Sequence, residues 1–334
     1  MTETELDDLL SAPRAETNDA LSACPGDVVI LGAGGKMGPT LARMVRRAAT
    51  DDRRVIAVSR WSSTAAERSL NDAGVETVAC DLLDRGAVAK LPDAPNVIFM
   101  AGQKFGTTGA PAMTWGMNTL VPANCAERYR DARIVAFSTG NVYALTPVAD
   151  GGSRETDQPS PVGEYAASCL GRERVFELYA ERHGTRVAIV RLNYAIDLRY
   201  GVLVDLALRV SRGDEVPVAM GFVNVIWQGD ANRVAIECLP QTATPPFIVN
   251  VTGAATLSVR QLAERFGERL EKPVRFSGTE RDDALLSNTS RMQSTFAPPS
   301  VSIDEMIERV ADWVAHDGPL LGKPTKFEAR DGKF

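Results

Sequence analysis

An alternation of short apolar runs with helix-patterned segments, repeated from Val28 to Leu192, predicts an α/β protein built on a doubly wound parallel sheet. Two further observations agree. The runs lack the polar alternation of a half-exposed strand, so both faces of the sheet are expected to be covered. A glycine cluster also stands between the first run and the first helical segment.

Val28–Leu31 is the first expected strand, and 39–49 the first helix, with Leu41, Met44 and Val45 at helical spacing. Strands follow at 55–58 and 77–79, with helices over 63–73 and 85–89. A strand at 97–100 leads to a long helix over 115–129. A strand at 133–137 precedes a helix over 165–182, and 187–192 is the next strand. Beyond Asn193 the rhythm loosens. Helices are expected over 201–212, 230–239, 258–270 and 301–314, and strands at 223–226 and Phe247–Val251. Residues 1–25 are polar and acidic, punctuated by Pro13 and Pro25, and read as a loose arm. The last residues, from 321, read as a polar tail.

Composition excludes several classes of function. The 334 residues include 44% hydrophobic and 24% charged side chains, ordinary for a globular protein, and carry a net charge of −6. That charge, with a pI near 5.2, argues against a nucleic-acid or anionic-membrane surface. No apolar run approaches the roughly 18–20 residues of a membrane span. The start MTETELDDLL is acidic where a signal peptide is basic, so a cytoplasmic location is expected. Five cysteines, Cys24, Cys80, Cys125, Cys169 and Cys238, are scattered without a CxxC pair and suit reduced thiols. With only His183 and His316, a multi-histidine metal site is excluded and a Ser-His-Asp triad is disfavoured, so no metal is expected.

The segment ILGAGGKMGPTLARM places Gly32, Gly35 and Gly38 between strand and helix in a G-x-x-G-x-x-G spacing. Gly32 permits the tight turn, Gly35 lets the backbone approach a pyrophosphate, and Gly38 lets the helix lie close on the strand. The helix N-terminus then offers N–H groups and partial positive charge to phosphates. A Rossmann-like dinucleotide site is expected there, with Lys36 and Met37 completing the contact loop. A ligand-free glycine turn is the plainer alternative. Where an NAD-selective strand end usually carries an acid, this chain has Ser59 followed by Arg60. That pair suits a 2′-phosphate and favours NADP over NAD, against an Arg60 that merely faces solvent. Asp81, in ACDLL, is a candidate for the adenine amino group or a helix N-cap. The division expected is an arm over 1–26, a dinucleotide domain over 27–193, a mixed substrate lobe with returns to the sheet over 194–320, and the tail over 321–334.

GAGGKMG at 32–38, CDLLD at 80–84, MAGQK at 100–104, FSTGNVY at 137–143 and YAASC followed by Glu173 together resemble the extended short-chain dehydrogenases/reductases, which include nucleotide-sugar epimerases and dehydratases. The resemblance runs from about Val28 to about Val314. It implies that Asp81 and Leu82, Ala101 and Gly102, Lys104 and Asn118 belong to the cofactor site. It also implies that Ser138 and Thr139 line the reacting centre, that Thr139 binds the substrate's reacting oxygen, and that Tyr165 is the catalytic tyrosine. A homodimer through the helices over 115–129 and 165–182 is implied as well.

One position departs. The family pattern is Tyr-x-x-x-Lys, and here Tyr165 is followed at i+4 by Cys169. Residues i and i+4 share a helix face, so the lysine would sit beside the tyrosine, hold the nicotinamide ribose and lower the phenol pKa. A thiol supplies neither charge nor a strong donor. Arg172, at i+7, and Lys104 are the candidates for compensation. Cys169 itself reads as a small packing residue, as part of a remodelled pocket, or as a redox-sensitive thiol. Asp197 replaces a glycine of the family's substrate wall, and Arg199, Arg209, Arg212 and Arg233 are candidates for a phosphate contact. Two functions are therefore expected to compete. One is an NAD(P)-dependent epimerase, dehydratase or reductase acting on a hydroxyl or carbonyl carbon of a nucleotide sugar or other small metabolite. The other is an NAD(P)-binding regulatory or scaffold protein with impaired catalysis.

Overall fold

The computed structural model describes residues 1–334 except 105, 107, 108, 324 and 334. Seven parallel strands form the central sheet: β1 (Val28–Leu31), β2 (Val55–Ser59), β3 (Glu76–Ala79), β4 (Asn96–Phe99), β5 (Arg133–Thr139), β6 (Arg186–Leu192) and β7 (Phe247–Val251). Their order is β7-β6-β5-β4-β1-β2-β3. Every residue of β1 and β4 is buried, which explains their unbroken apolar character. Val28 and Ile30 enter the core on one face, and Val29 and Leu31 that on the other, as a period of two requires. The strand order reverses between β4 and β1, so the crevice at their C-terminal ends is the natural ligand site of such a sheet.

One face is covered by α3 (Gly38–Ala48), whose Leu41, Met44 and Val45 are buried as their spacing predicts. The other face is covered through Cys125 and Ala126 of one helix and Phe176 and Ala180 of another. The stretch expected as one helix over 115–129 is instead α5 (Pro111–Trp115), a wide π-turn over 116–120, and α6 (Val121–Arg128). Pro122 has no N–H to donate to residue 118, so the α ladder cannot continue through that turn. The helix that carries Tyr165, α7, runs Gly163–His183. In the C-terminal lobe, α8 (Val202–Arg212), α10 (Val259–Leu270) and α11 (Ile303–Ala315) share a core around Trp227. Between α8 and α10, α9 (Gln228–Glu237) returns to the sheet face. Strand β7 also rejoins the sheet from this part of the chain, pairing with β6.

Both chain ends depart from expectation. The arm is folded into α1 (Glu3–Leu10) and α2 (Ala15–Ser22). Leu6 and Leu10 are buried in the C-terminal lobe, and Leu21 beneath the sheet. The tail is docked, with Phe327 only 1% exposed. Asp205 accepts the Thr325 N–H and hydroxyl, and Arg330 pairs with Asp283. Apolar anchors set among polar residues hold both ends. No helix among the described residues is long and apolar enough to cross a membrane.

Candidate functional site

The glycine loop joins β1 to α3 at the sheet's reversal point. Gly32 has φ +89, and a Cβ there would lie 2.6 Å from the Ala101 backbone, so this turn admits only glycine. Gly38 is as tightly placed, 2.2 Å from the Ala33 carbonyl oxygen. Gly35 differs: a Cβ there would meet only the Gly32 carbonyl at 3.4 Å, so space above it is open. No side chain caps α3 and its first turn holds no acid, leaving its positive end available to an anion. A dinucleotide pyrophosphate fits this cradle. Ala101 passes directly beneath Gly32.

At the end of β2, Ser59 lies against Gly34, where a Cβ would come within 2.4 Å of its hydroxyl. Arg60 is exposed. Trp61, which sequence reasoning overlooked, holds φ +47 and donates its indole N–H to the Val78 carbonyl, packing its ring beside this corner. Asp81 is exposed and accepts the Leu83 N–H. The N-cap of the short helix after β3 is Asp84, not Asp81. The Leu82 side chain is buried in the core.

At the end of β5 and the start of α7, Thr139 and Tyr165 come together. Thr139 and the Cys169 thiol neighbour the Tyr165 hydroxyl, and Thr139 Oγ1 accepts hydrogen bonds from the Asn141 N–H and side-chain amide. Burial pushes the Tyr165 phenol far above its ordinary value, Cys169 adds to the shift, and the Arg172 charge opposes both. Cys169 is 0% exposed and packs against Val142, Tyr143 and Tyr165. Its thiol is raised by burial and lowered by Arg172. A buried, neutral thiol is a poor redox sensor, so packing is the role this geometry describes.

Arg172 therefore supplies positive charge near the lysine's place, but from beneath. Its Nη1 donates to the Phe137 carbonyl at 2.8 Å and its Nη2 to Asn118 Oδ1 at 2.6 Å. The guanidinium lies across Gly102, where a Cβ would come within 2.2 Å of Nη2. Asn118, expected at the cofactor, is 0% exposed. Its carbonyl also accepts the Gln103 N–H, and its amide donates to Gln103 O and Ser168 Oγ. It clamps the segment after β4 onto α7. Ser138 likewise turns inward, to Glu173. Glu173 is paired with Arg191 at 2.7 Å with both side chains almost wholly buried. Arg191 in turn donates to Tyr143 Oη, and Tyr143 to Asn250. This network ties β5, β6, β7 and α7 together directly below Thr139.

The wall after β6 completes the site. Lys36 Nζ donates to the Ala195 carbonyl at 3.2 Å and lies 3.9 Å over the Tyr200 ring. Lys104 Nζ donates to the Thr325 carbonyl at 3.3 Å. Of the arginines considered for phosphate, Arg199 binds Asp197 and Asp7, Arg209 binds Glu328, and Arg233 is buried with Glu237. Arg212 is exposed.

The pattern described as the NAD dependent epimerase/dehydratase family matches residues 28–196. No curated protein matches. Among solved structures, UDP-glucose 4-epimerase of Thermotoga maritima, determined with UDP-glucose, superposes with a TM-score of 0.72 at 17% identity. The match covers 87% of this chain and 99% of that one. A dTDP-glucose 4,6-dehydratase of Streptomyces venezuelae with NAD bound gives 0.73 at 19% identity, over 87% and 97%. An epimerase of Methanothermobacter thermautotrophicus gives 0.73 at 17%, over 91% and 96%. At these identities the structures establish a shared fold.

Proposed function

This chain belongs to the NAD-dependent epimerase/dehydratase family, and from that premise we propose that it is an NAD(P)-dependent epimerase, dehydratase or reductase acting on a hydroxyl or carbonyl carbon of a small metabolite. The observation that carries this reading is the Tyr165–Thr139 hydroxyl pair, neighbours where the end of β5 meets α7. When bound, the nicotinamide would accept or donate a hydride at the substrate carbon. Gly32, Gly35, Lys36, Met37 and Gly38 would hold its pyrophosphate, and Ala101, Gly102 and Lys104 would border it. Asn118 would act through the segment it clamps. Thr139 would orient the reacting oxygen, and Tyr165 would give or take its proton. A raised phenol is better suited to donating a proton to a carbonyl oxygen than to removing one from an alcohol. Arg172 would favour ionisation from below.

Ser59 with the exposed Arg60 supports NADP, and the likeness to NAD-bound structures supports NAD; the substrate class includes nucleotide sugars. One observation favours a second reading, an NAD(P)-binding regulatory or scaffold protein. With Cys169 neutral in the lysine's place, the phenol stays high. Titration of NAD⁺, NADH, NADP⁺ and NADPH, followed by thermal stability and nicotinamide fluorescence, tests both readings. The enzyme reading expects saturable binding of one pair, turnover within a panel of sugars and carbonyl compounds, and loss of that turnover in Tyr165→Phe with binding intact. Binding without turnover across the panel would favour the second reading, and no binding at millimolar concentration would overturn both.

A further inference from the structure

We propose that residues 325–333 form a strap across the Tyr165–Thr139 site, which a substrate must pass to reach Tyr165. This deepens the functional reading above and rests on it for the identity of the site. Composition marks the stretch as a polar tail, yet it follows a fixed course, held first on one flank of the site and last on the other.

Thr325 is buried. Its N–H and hydroxyl donate to Asp205 on α8, at 2.8 and 2.6 Å, and its carbonyl accepts from Lys104 Nζ at 3.3 Å. One residue thus joins the C-terminal lobe to the segment after β4. Phe327 is seated in the core of that lobe, and Glu328 pairs with Arg209 of α8 at 3.1 Å. Arg330 donates to the Ala219 and Asp283 carbonyls, at 3.2 and 3.0 Å, besides its pair with the Asp283 carboxylate. At the far end, Gly332 lies backbone to backbone on Val162 and Gly163. A Cβ on Gly332 would fall 2.2 Å from the Val162 carbonyl oxygen, and one on Gly163 2.5 Å from that of Gly332. Both glycines hold positive φ, +72 and +83, so neither place admits a side chain. Gly163 opens α7, two residues before Tyr165.

Both landing points border the site by contact. Arg172 lies across Gly102 and donates to the Phe137 carbonyl, two residues before Thr139, while Asn118 accepts the Gln103 N–H. Those bonds fix the segment that carries Lys104 against the end of β5. The start of α7 carries Tyr165, the neighbour of Thr139. Packing explains Phe327, but a carbonyl given to Lys104 and a glycine-on-glycine landing on α7 tie the segment to the site itself. The two kinds of anchor also differ in strength. The apolar anchor lies on the lobe, and the flanks are held by a hydrogen bond and by backbone packing, which contribute less than a buried aromatic ring. The flanks can therefore part from the sheet domain while Phe327 stays seated, a local opening of the low-stability kind that binding sites use.

The test compares the full chain with a chain ending at Gly322 and with Gly332→Val, which keeps Phe327 but cannot land on Gly163. None of these changes touches the glycine loop, Thr139 or Tyr165. The first readout needs no cofactor. Lys104 is acetylated with acetic anhydride and followed by mass spectrometry, with the exposed Lys272 as internal standard. Lys104 should react slowly in the full chain and at least about tenfold faster in the shortened one, the factor that about 1.4 kcal/mol of local protection gives. The second readout is iodide quenching of bound NADH or NADPH fluorescence. Quenching should rise at least about threefold in both variants, with cofactor affinity changed by less than about threefold. A Lys104 as reactive as Lys272 in the full chain would overturn the strap. So would an unchanged Lys104 in a shortened chain that keeps its circular dichroism spectrum. If the shortened chain does not fold, Gly332→Val decides by the same readouts: faster acetylation or stronger quenching supports the strap, and no change in either overturns it. Failure of every cofactor to bind would overturn the functional reading alone, and acetylation would still decide the strap.

Discussion

Cys169 stands at the position that the Tyr-x-x-x-Lys pattern gives to a lysine. Its position four residues after Tyr165 puts the two on one helix face, and their packing follows from that spacing. Whether another charge replaces the lysine could not be read from spacing alone. Arg172 lies on the same helix, but its guanidinium is fixed by Phe137 and Asn118, from a strand end and a π-turn distant in sequence. Glu173, which follows the tyrosine motif in the sequence, is half of a buried ion pair with Arg191. Removing one partner strands the other charge in the core, at a cost of about 3–5 kcal/mol. Arg191→Met should lower unfolding free energy by that amount in a denaturant titration monitored by circular dichroism. A change under about 1 kcal/mol, the range of exposed pairs, would show that this pair does not bear the network.

Among the elements, those carried by periodicity are placed closely. Phe247–Val251 is a strand at the expected residues, and α8 and α10 begin within one residue of expectation. The long helix over 115–129 is interrupted because Pro122 removes a donor, a signal that was present in the sequence. The N-terminal arm was misread because its acidic composition outweighed a weaker pattern. Thr2 and Glu5 form a capping box, and Leu6 and Leu10 are one turn apart. Burying a leucine contributes about 1.5–3 kcal/mol, so Leu6, Leu10 and Leu21 together are substantial. Deleting residues 1–24 should lower the urea midpoint and reduce stability by more than about 3 kcal/mol. An unchanged midpoint would show that these helices lie on the fold without supporting it.

For the whole molecule, the sheet's reversal point collects the glycine loop, the segment after β4, and the Tyr165 helix at one crevice. The outer side of the helices around it carries exposed apolar side chains: Met113, Trp115 and Leu120 on α5 and the π-turn, and Leu178 on α7. Trp115, Leu120 and Leu178 lie in the two segments through which a dimer is expected. Light scattering at micromolar concentration should give twice the 36.0 kDa chain mass, and Leu120→Asp with Leu178→Asp should give the single-chain mass. A monomeric wild-type protein would exclude the dimer.

The sequence by itself determined the fold class, the succession of strands in the central sheet and the glycine turn, because strand and helix periods and glycine's backbone freedom act between near neighbours. Tyr165, Thr139 and Cys169 were likewise singled out from the sequence, since each lies in a short motif. Only the tertiary structure decided which charges meet there. Arg172 turned under Gly102, Lys36 crossed to Ala195, and the tail brought Thr325 to Lys104. Those contacts join residues far apart in the chain, and electrostatic interaction depends on distance and burial in space, which local patterns do not encode.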